Sequence, residues 1–175
     1  MAPARTGTSA EQDMAQQHDD EQQYGQGPTS QWVTFRLDDE TYGINVMQVQ
    51  EVLPLSEIAP VPGAPPFVMG IINLRGKVVT VIDTRLRFGL PDREPDKNSR
   101  IVVIEAGTHI AGIMVDSVAE VVNVAEQEID TAPNVGNEES SRYIYGVVSR
   151  KEGLLILVDV NRLLTQEEWD DVASV

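Results

Sequence analysis

Two aspartates stand at matching places in a repeated apolar context: Val81, Ile82, Asp83, Thr84 and Leu157, Val158, Asp159, Val160. Carboxylates supplied by two related halves can share one proton, which is how aspartic proteases activate water. That chemistry needs a glycine after Asp-Thr so that the backbone can approach, and Arg85 and Asn161 stand there instead. Capping of two short helices by Asp83 and Asp159 explains the same pattern without catalysis, which leaves a protease-like enzyme as a remote alternative. His18 falls in a polar N-terminal stretch, His109 stands alone, and there is no cysteine. No zinc site, thiolate nucleophile, disulfide or cofactor is expected. The sequences G-x-x-x-x-G-K-[ST], G-x-G-x-x-G and G-x-S-x-G are all absent, so nucleotide, dinucleotide and nucleophile-elbow readings lack their signal. A binding module, not an enzyme, is what remains.

The residue that asks for a binding explanation is Arg75. It lies in the stretch from Gly70 to Gly89, which reads as strand, turn, strand and short helix. Gly76 suits a turn with positive φ, Val78 to Ile82 suit a strand, and Asp83 can accept a backbone N–H as a helix cap. A hairpin tip needs no guanidinium to fold, so a permanently charged planar fork there can serve a partner, or a salt bridge that holds the hairpin.

The elements that position it follow from periodicity. Residues 1–30 are rich in Gln, Asp and Glu and poor in large apolar side chains, which predicts a disordered tail. Period-two alternation begins near Gln31; a strand over Thr41–Ile44 leads to a helical turn over Val46–Gln50 capped by Asn45, and an extended path resumes at Glu51. Residues 59–66 form a proline-rich connector, and residues 91–99 are the best crossover. Strands are predicted over 100–105 and 109–115, a helical turn from Asp116, a polar loop over 126–142, and a last hairpin from 143–148 and 154–158. A helical segment opens at Asp159, with Thr165 and Glu168 at capping-box spacing. The formal net charge of -15 argues against nucleic acid and anionic lipid as partners, and no apolar run is long enough to span a membrane.

The chain also repeats itself. One constant shift lays Val33, Gly43, Ile44, Val46, Val49, Glu51 and Val52 over Val102, Gly112, Ile113, Val115, Val118, Glu120 and Val121. A slightly larger shift lays Phe67, Val68, Gly70, Ile71 and Ile72 over Tyr143, Ile144, Gly146, Val147 and Val148, and continues until Asp83 meets Asp159. The two copies, about 32–88 and 101–164, each have roughly five short strands and suggest two small barrels with a groove between them.

Gly70, Ile71, Ile72, Asn73, Leu74, Arg75, Gly76 with Val81, Ile82, Asp83 and Arg85 resembles the most recognisable motif of the CheW-like adaptors of bacterial chemotaxis. Tyr42, Gly43, Ile44 with Val49, Gln50, Glu51, Val52 is similar to that family's second signature. The resemblance covers residues 31–170. It departs at Thr80, where the family often has proline, and at Thr84, where it often has leucine. It implies a mainly β fold of two intertwined five-stranded β-barrels with short helices and a C-terminal helix, and a non-catalytic adaptor. Its implied partners are the cytoplasmic tip of a chemoreceptor, the regulatory domain of the histidine kinase CheA, and other CheW-like domains in rings. The implied place is cytoplasmic, at receptor arrays on the inner membrane. A scaffold for surface motility or second-messenger control is the alternative pathway. By resemblance, receptor contact falls on Val49, Glu51 and Arg75, with Val118 and Val121 as neighbours from the other barrel; one kinase contact falls on the outer face of the first barrel and another near Val135. Ordinary core packing is the competing reading for Val49, Val118 and Val121.

Overall fold

Alternating β-branched and polar residues give ten strands among the residues described by the computed structural model, 27–131 and 141–174. They are β1 (Thr29–Leu37), β2 (Glu40–Asn45), β3 (Val49–Pro54), β4 (Val68–Leu74), β5 (Lys77–Ile82), β6 (Arg100–Ala106), β7 (His109–Val115), β8 (Ser117–Ala125), β9 (Ile144–Arg150) and β10 (Gly153–Val158). The described residues also include two helices, α1 (Thr84–Arg87) and α2 (Gln166–Ala173), and three single 3-10 turns. One sheet has the order β8-β1-β2-β10-β9 and the other β3-β6-β7-β5-β4.

The two copies are therefore exchanged. Each gives its first two strands to one sheet and its last three to the other. The junctions are parallel pairs, β2 with β10 and β5 with β7, together with the antiparallel pairs β1 with β8 and β3 with β6. The intertwining implied by the family motif is thus present as strand exchange between the repeats, and neither copy builds a sheet from its own strands alone.

Each sheet curls around a small cluster of its own. Trp32, Val122, Val124, Val148, Leu155 and Leu157 fill one, and Ile72, Val79, Val81, Ile101 and Met114 fill the other. Trp32 and Ile101, Val148 and Ile72, Leu155 and Val79, and Leu157 and Val81 are equivalent positions of the repeat. A third and larger cluster lies outside both, where the strands' opposite faces meet. It includes Phe35, Leu37, Tyr42, Ile44, Ile82, Phe88, Ile104, Ile113, Tyr143 and Trp169. Strands such as β1 are consequently buried on both faces over Trp32–Phe35. Burial, and then the nearby Glu40 and Asp38, push the Tyr42 phenol up to about 12.

No ladder joins the end strands of either sheet; instead the connector after β3 meets β4, and the connector after β8 meets β9, at one bridge each. Ala59 exchanges two hydrogen bonds of 2.9 Å with Ile71, and Asp130 exchanges two of 2.9 Å with Val147. Both closures run over a glycine. A Cβ on Gly70 would fall 2.7 Å from Ile58 Cγ2 and 2.9 Å from the Ala59 carbonyl carbon; one on Gly146 would fall 2.6 Å from Ile129 Cγ2 and 2.9 Å from Asp130 O. Gly70 and Gly146 are equivalent in the repeat, and only hydrogen fits beneath the closing strand.

Caps appear where the sequence placed them. The side chain of Asn45 accepts from Met47 N, that of Asp83 from Leu86 N at 3.0 Å, and that of Asp159 from Asn161 N at 3.0 Å. Thr165 and Glu168 form a full capping box on α2. Other expectations change. The turn after Asn45 is a 3-10 turn over Val46–Gln48, so Val49 already opens β3. β1 starts two residues before Gln31, because Thr29 and Ser30 pair with Ala125 and Val124. No helical turn starts at Asp116. Its carboxylate accepts from Asp38 N at 2.8 Å, Arg85 at 2.7 Å and Arg93 at 3.0 Å, and the following β-branched run continues as β8 against β1.

The C-terminal helix is held by one arginine. Arg87 makes paired hydrogen bonds of 2.7 and 2.5 Å to Glu168 and donates to Leu163 O at 2.9 Å. Its guanidinium carbon lies 5.3 Å from the Phe67 ring centre and 5.5 Å from that of Tyr143. Phe67 and Tyr143 are equivalent residues of the two copies, and Leu163 is the equivalent of Arg87 itself. Partial burial would raise the Glu168 pKa, but the Thr165 N–H and Arg87 outweigh it and hold the carboxyl below its usual range.

Gly70→Ala and Gly146→Ala are each expected to cost about 2–3 kcal/mol. Urea denaturation tests this, and an unchanged midpoint would show that the closing strands can yield. Because Glu168 has a depressed folded pKa, its contribution is complete above about pH 4.5 and is lost as the pH falls through the lower folded value. Trp169 fluorescence should report release of α2 in acid, and Glu168→Gln should lower stability by about 1–2 kcal/mol at neutral pH. A variant as stable as the parent would assign the helix's hold to packing alone.

Candidate functional site: a presented arginine

β4 and β5 are joined by two residues, Arg75 and Gly76, both with positive φ (51° and 86°). That is the twist a type I′ turn needs to match the strands. Glycine adopts it freely, but an arginine in the left-handed region is uncommon, and the sequence marked only Gly76 for it. Asn73 supports the turn by accepting from Gly76 N at 2.9 Å.

The turn carries Arg75 to Glu51 on β3. Nη1 meets Oε2 at 3.3 Å and Nη2 bonds Oε1 more closely, giving a two-point contact. β3 and β4 are the two ends of their sheet, so this pair spans the gap that no ladder fills. The Arg75 side chain remains 71% exposed and that of Glu51 29% exposed. Hydrogen bonding from Arg75 holds the Glu51 carboxyl below its usual range, while Arg75 is pushed further up and stays charged. An exposed pair of this kind adds little to stability. What it does is fix a permanently charged guanidinium at an exposed hairpin tip.

The other positions divide. Val49 is half-buried and packs against the large shared core, as does its equivalent Val118 on β8. Val121, also on β8, is 52% exposed, and its equivalent Val52 on β3 is 39% exposed. Glu51 and Arg75 are thus brought together. Val118 and Val121 lie on an end strand of the other sheet, with no ladder between β3 and β8. Val135 lies outside the described residues. Val52, which belongs to the repeat and to the second signature but not to the receptor-contact positions expected from the resemblance, is exposed as its equivalent Val121 is. Met47 and Val78 are the most exposed of the large apolar side chains among the described residues.

Asp83 and Asp159 each cap their own turn, and Asp159 also lies 3.5 Å from Arg162 Nε. Arg85, part of the motif that carried the family resemblance, is 8% exposed. It pairs with Asp38 and Asp116 and donates to Pro91 O at 2.8 Å, which ties the β1–β2 turn, the start of β8 and the crossover together. Among the described residues no three His, Cys, Asp or Glu side chains are grouped to hold a metal, and no helix is long and apolar enough to cross a membrane.

Residues 31–168 match a family described as CheW-like domain. The chain is similar to "Chemotaxis protein CheW" of Klebsiella aerogenes, at 33% identity over 151 residues, covering 86% of this chain and 91% of that protein. It is also similar to "Protein FrzA" of Myxococcus xanthus, at 27% identity over 139 residues, 78% of this chain and 86% of that one. Among solved structures, the scaffolding protein TtCheW from Thermoanaerobacter tengcongensis superposes with a TM-score of 0.72 at 34% identity, over 78% of this chain and 92% of that chain.

Glu51→Gln is expected to leave the thermal midpoint within about one degree of the parent while freeing Arg75. The guanidinium N–H signals of Arg75 should then broaden and exchange faster in NMR spectra. Signals unchanged by the substitution would mean that the turn, and not Glu51, fixes the arginine.

Proposed function

Because the chain belongs to the CheW-like family, we propose that it is a non-catalytic adaptor joining the cytoplasmic tip of a methyl-accepting chemoreceptor to the regulatory domain of the histidine kinase CheA. The observation that carries this reading is Arg75, held by Glu51 in the left-handed region at an exposed hairpin tip where folding needs no charge. The receptor's helical hairpin lies along the groove between the two sheets. Val121 gives apolar contact, Val49 and Val118 give a half-buried floor, and Arg75 with Glu51 sets register. The kinase contact falls near Val135, and alternation of such faces with kinase and other CheW-like domains builds rings at the inner membrane. Signal passes by orientation: a receptor's conformational bias reaches the kinase through contacts that differ between its states.

A scaffold of another chemosensory pathway, for surface motility or second-messenger control, is the second reading, and the likeness to Protein FrzA favours it. Co-sedimentation with receptor cytoplasmic fragments and CheA from the same cell, read together with kinase phosphorylation, separates the two. The adaptor reading expects a ternary complex and altered phosphorylation, with Arg75→Ala weakening receptor binding about tenfold or more while the protein stays folded. Binding to neither component would restrict the family likeness to the fold. A large loss of thermal stability in Arg75→Ala would make the arginine structural.

A further inference from the structure

A hollow of about 270 Å³ opens at the sheet that contains β9 and β10, away from the Arg75 turn. Its walls include Trp32, Tyr145, Glu126, Asp159, Asn45 and Asn161, and no cationic side chain is among its described lining residues. Trp32 and Tyr145 stack with ring centres 6.0 Å apart, and the indole N–H is already spent on Ser30 Oγ at 2.8 Å. Trp32 is buried and Tyr145 is 41% exposed, so one ring backs the other and leaves a free aromatic face beside carboxylates.

The molecule shows elsewhere what such a combination holds. Arg87 lies against two aromatic rings and pairs with a carboxylate of α2. The place equivalent to the hollow in the other sheet differs in kind. Ile101, Met69 and Met114 replace Trp32, Tyr145 and Asn45, and Arg85, equivalent to Asn161, is buried on Asp38 and Asp116. Only one of the two sheets thus lines this place with aromatic rings beside its carboxylates, with no Arg or Lys among the described lining residues. Arg162 reaches Asp159 at 3.5 Å, but its side chain is 62% exposed and it is not part of the lining.

We propose that this hollow accepts an arginine side chain presented by a partner protein, stacked on Tyr145 and paired with Asp159 and Glu126. The inference does not rest on the adaptor reading, and its test contains neither receptor nor kinase. The full chain, labelled with ¹⁵N, is titrated with N-acetyl-arginine amide and, separately, with the neutral isostere N-acetyl-citrulline amide. Saturable shifts of the Glu126, Tyr145 and Asn161 amides are expected with the first and not with the second. Tyr145→Ala should weaken binding by about three- to fivefold, as should Glu126→Gln, which leaves the ring stack intact. Equal response to both probes, no saturation, or shifts that persist at full strength in Glu126→Gln would overturn the proposal. So would shifts centred on the Arg75 turn.

Discussion

The exchange of strands between the two copies is the constraint on which the rest of the molecule depends. A copy that kept its own strands would pair β2 with β5; instead β2 pairs with β10 and β5 with β7, each in parallel. Every sheet is completed by hydrogen bonds between residues far apart in the chain, so neither can form until both copies are present. The large shared core follows from the same fact, because two sheets that exchange strands must lie against one another. The places of the end strands β3, β4, β8 and β9 are fixed by that packing.

Closure is then a local problem, solved twice. The connectors after β3 and after β8 each place one residue against the far strand, over a glycine that leaves room. At the sheet containing β3, the Arg75 turn adds a charged contact across the same gap. Between the sheets, Arg87 takes two equivalent aromatic residues as its walls and brings in a helix that has no counterpart in the first copy. Arginine does three different tasks here: Arg85 is buried in a junction, Arg87 clamps a helix, and Arg75 is left at the surface.

Much of this was legible in the residues. The repeat, the five strands in each copy, the caps at Asn45, Asp83 and Thr165, and the hairpin turn at Arg75 and Gly76 could all be read, because periodicity, turn and capping signals are short-range. The exchange was not legible from the residues alone. A constant shift between copies is the same whether a strand pairs within its copy or across to the other, and only the family motif pointed to it. Asp116 looked like a helix start because its type suits a cap, but a buried arginine from another element claimed its carboxylate. The half-burial of Val49 and Val118 and the exposure of Val121 depend on which sheet lies against which, and spacing along one strand does not carry that. Glycine at 76 announced the turn, but nothing local announced the left-handed arginine beside it.

The crossover over residues 91–99 has a consequence of another kind. Two separate, identical chains could exchange strands in the same way and would make a symmetric pair, in which every substitution appears in both halves. Joining the halves end to end removes that rule. Leucine at 163 can answer arginine at 87, and isoleucine at 101 can answer tryptophan at 32, without spoiling the architecture that both halves share. The covalent link is thus what lets one face of the molecule become different from the other. An assembly that must tell its two sides apart needs that asymmetry before any partner arrives.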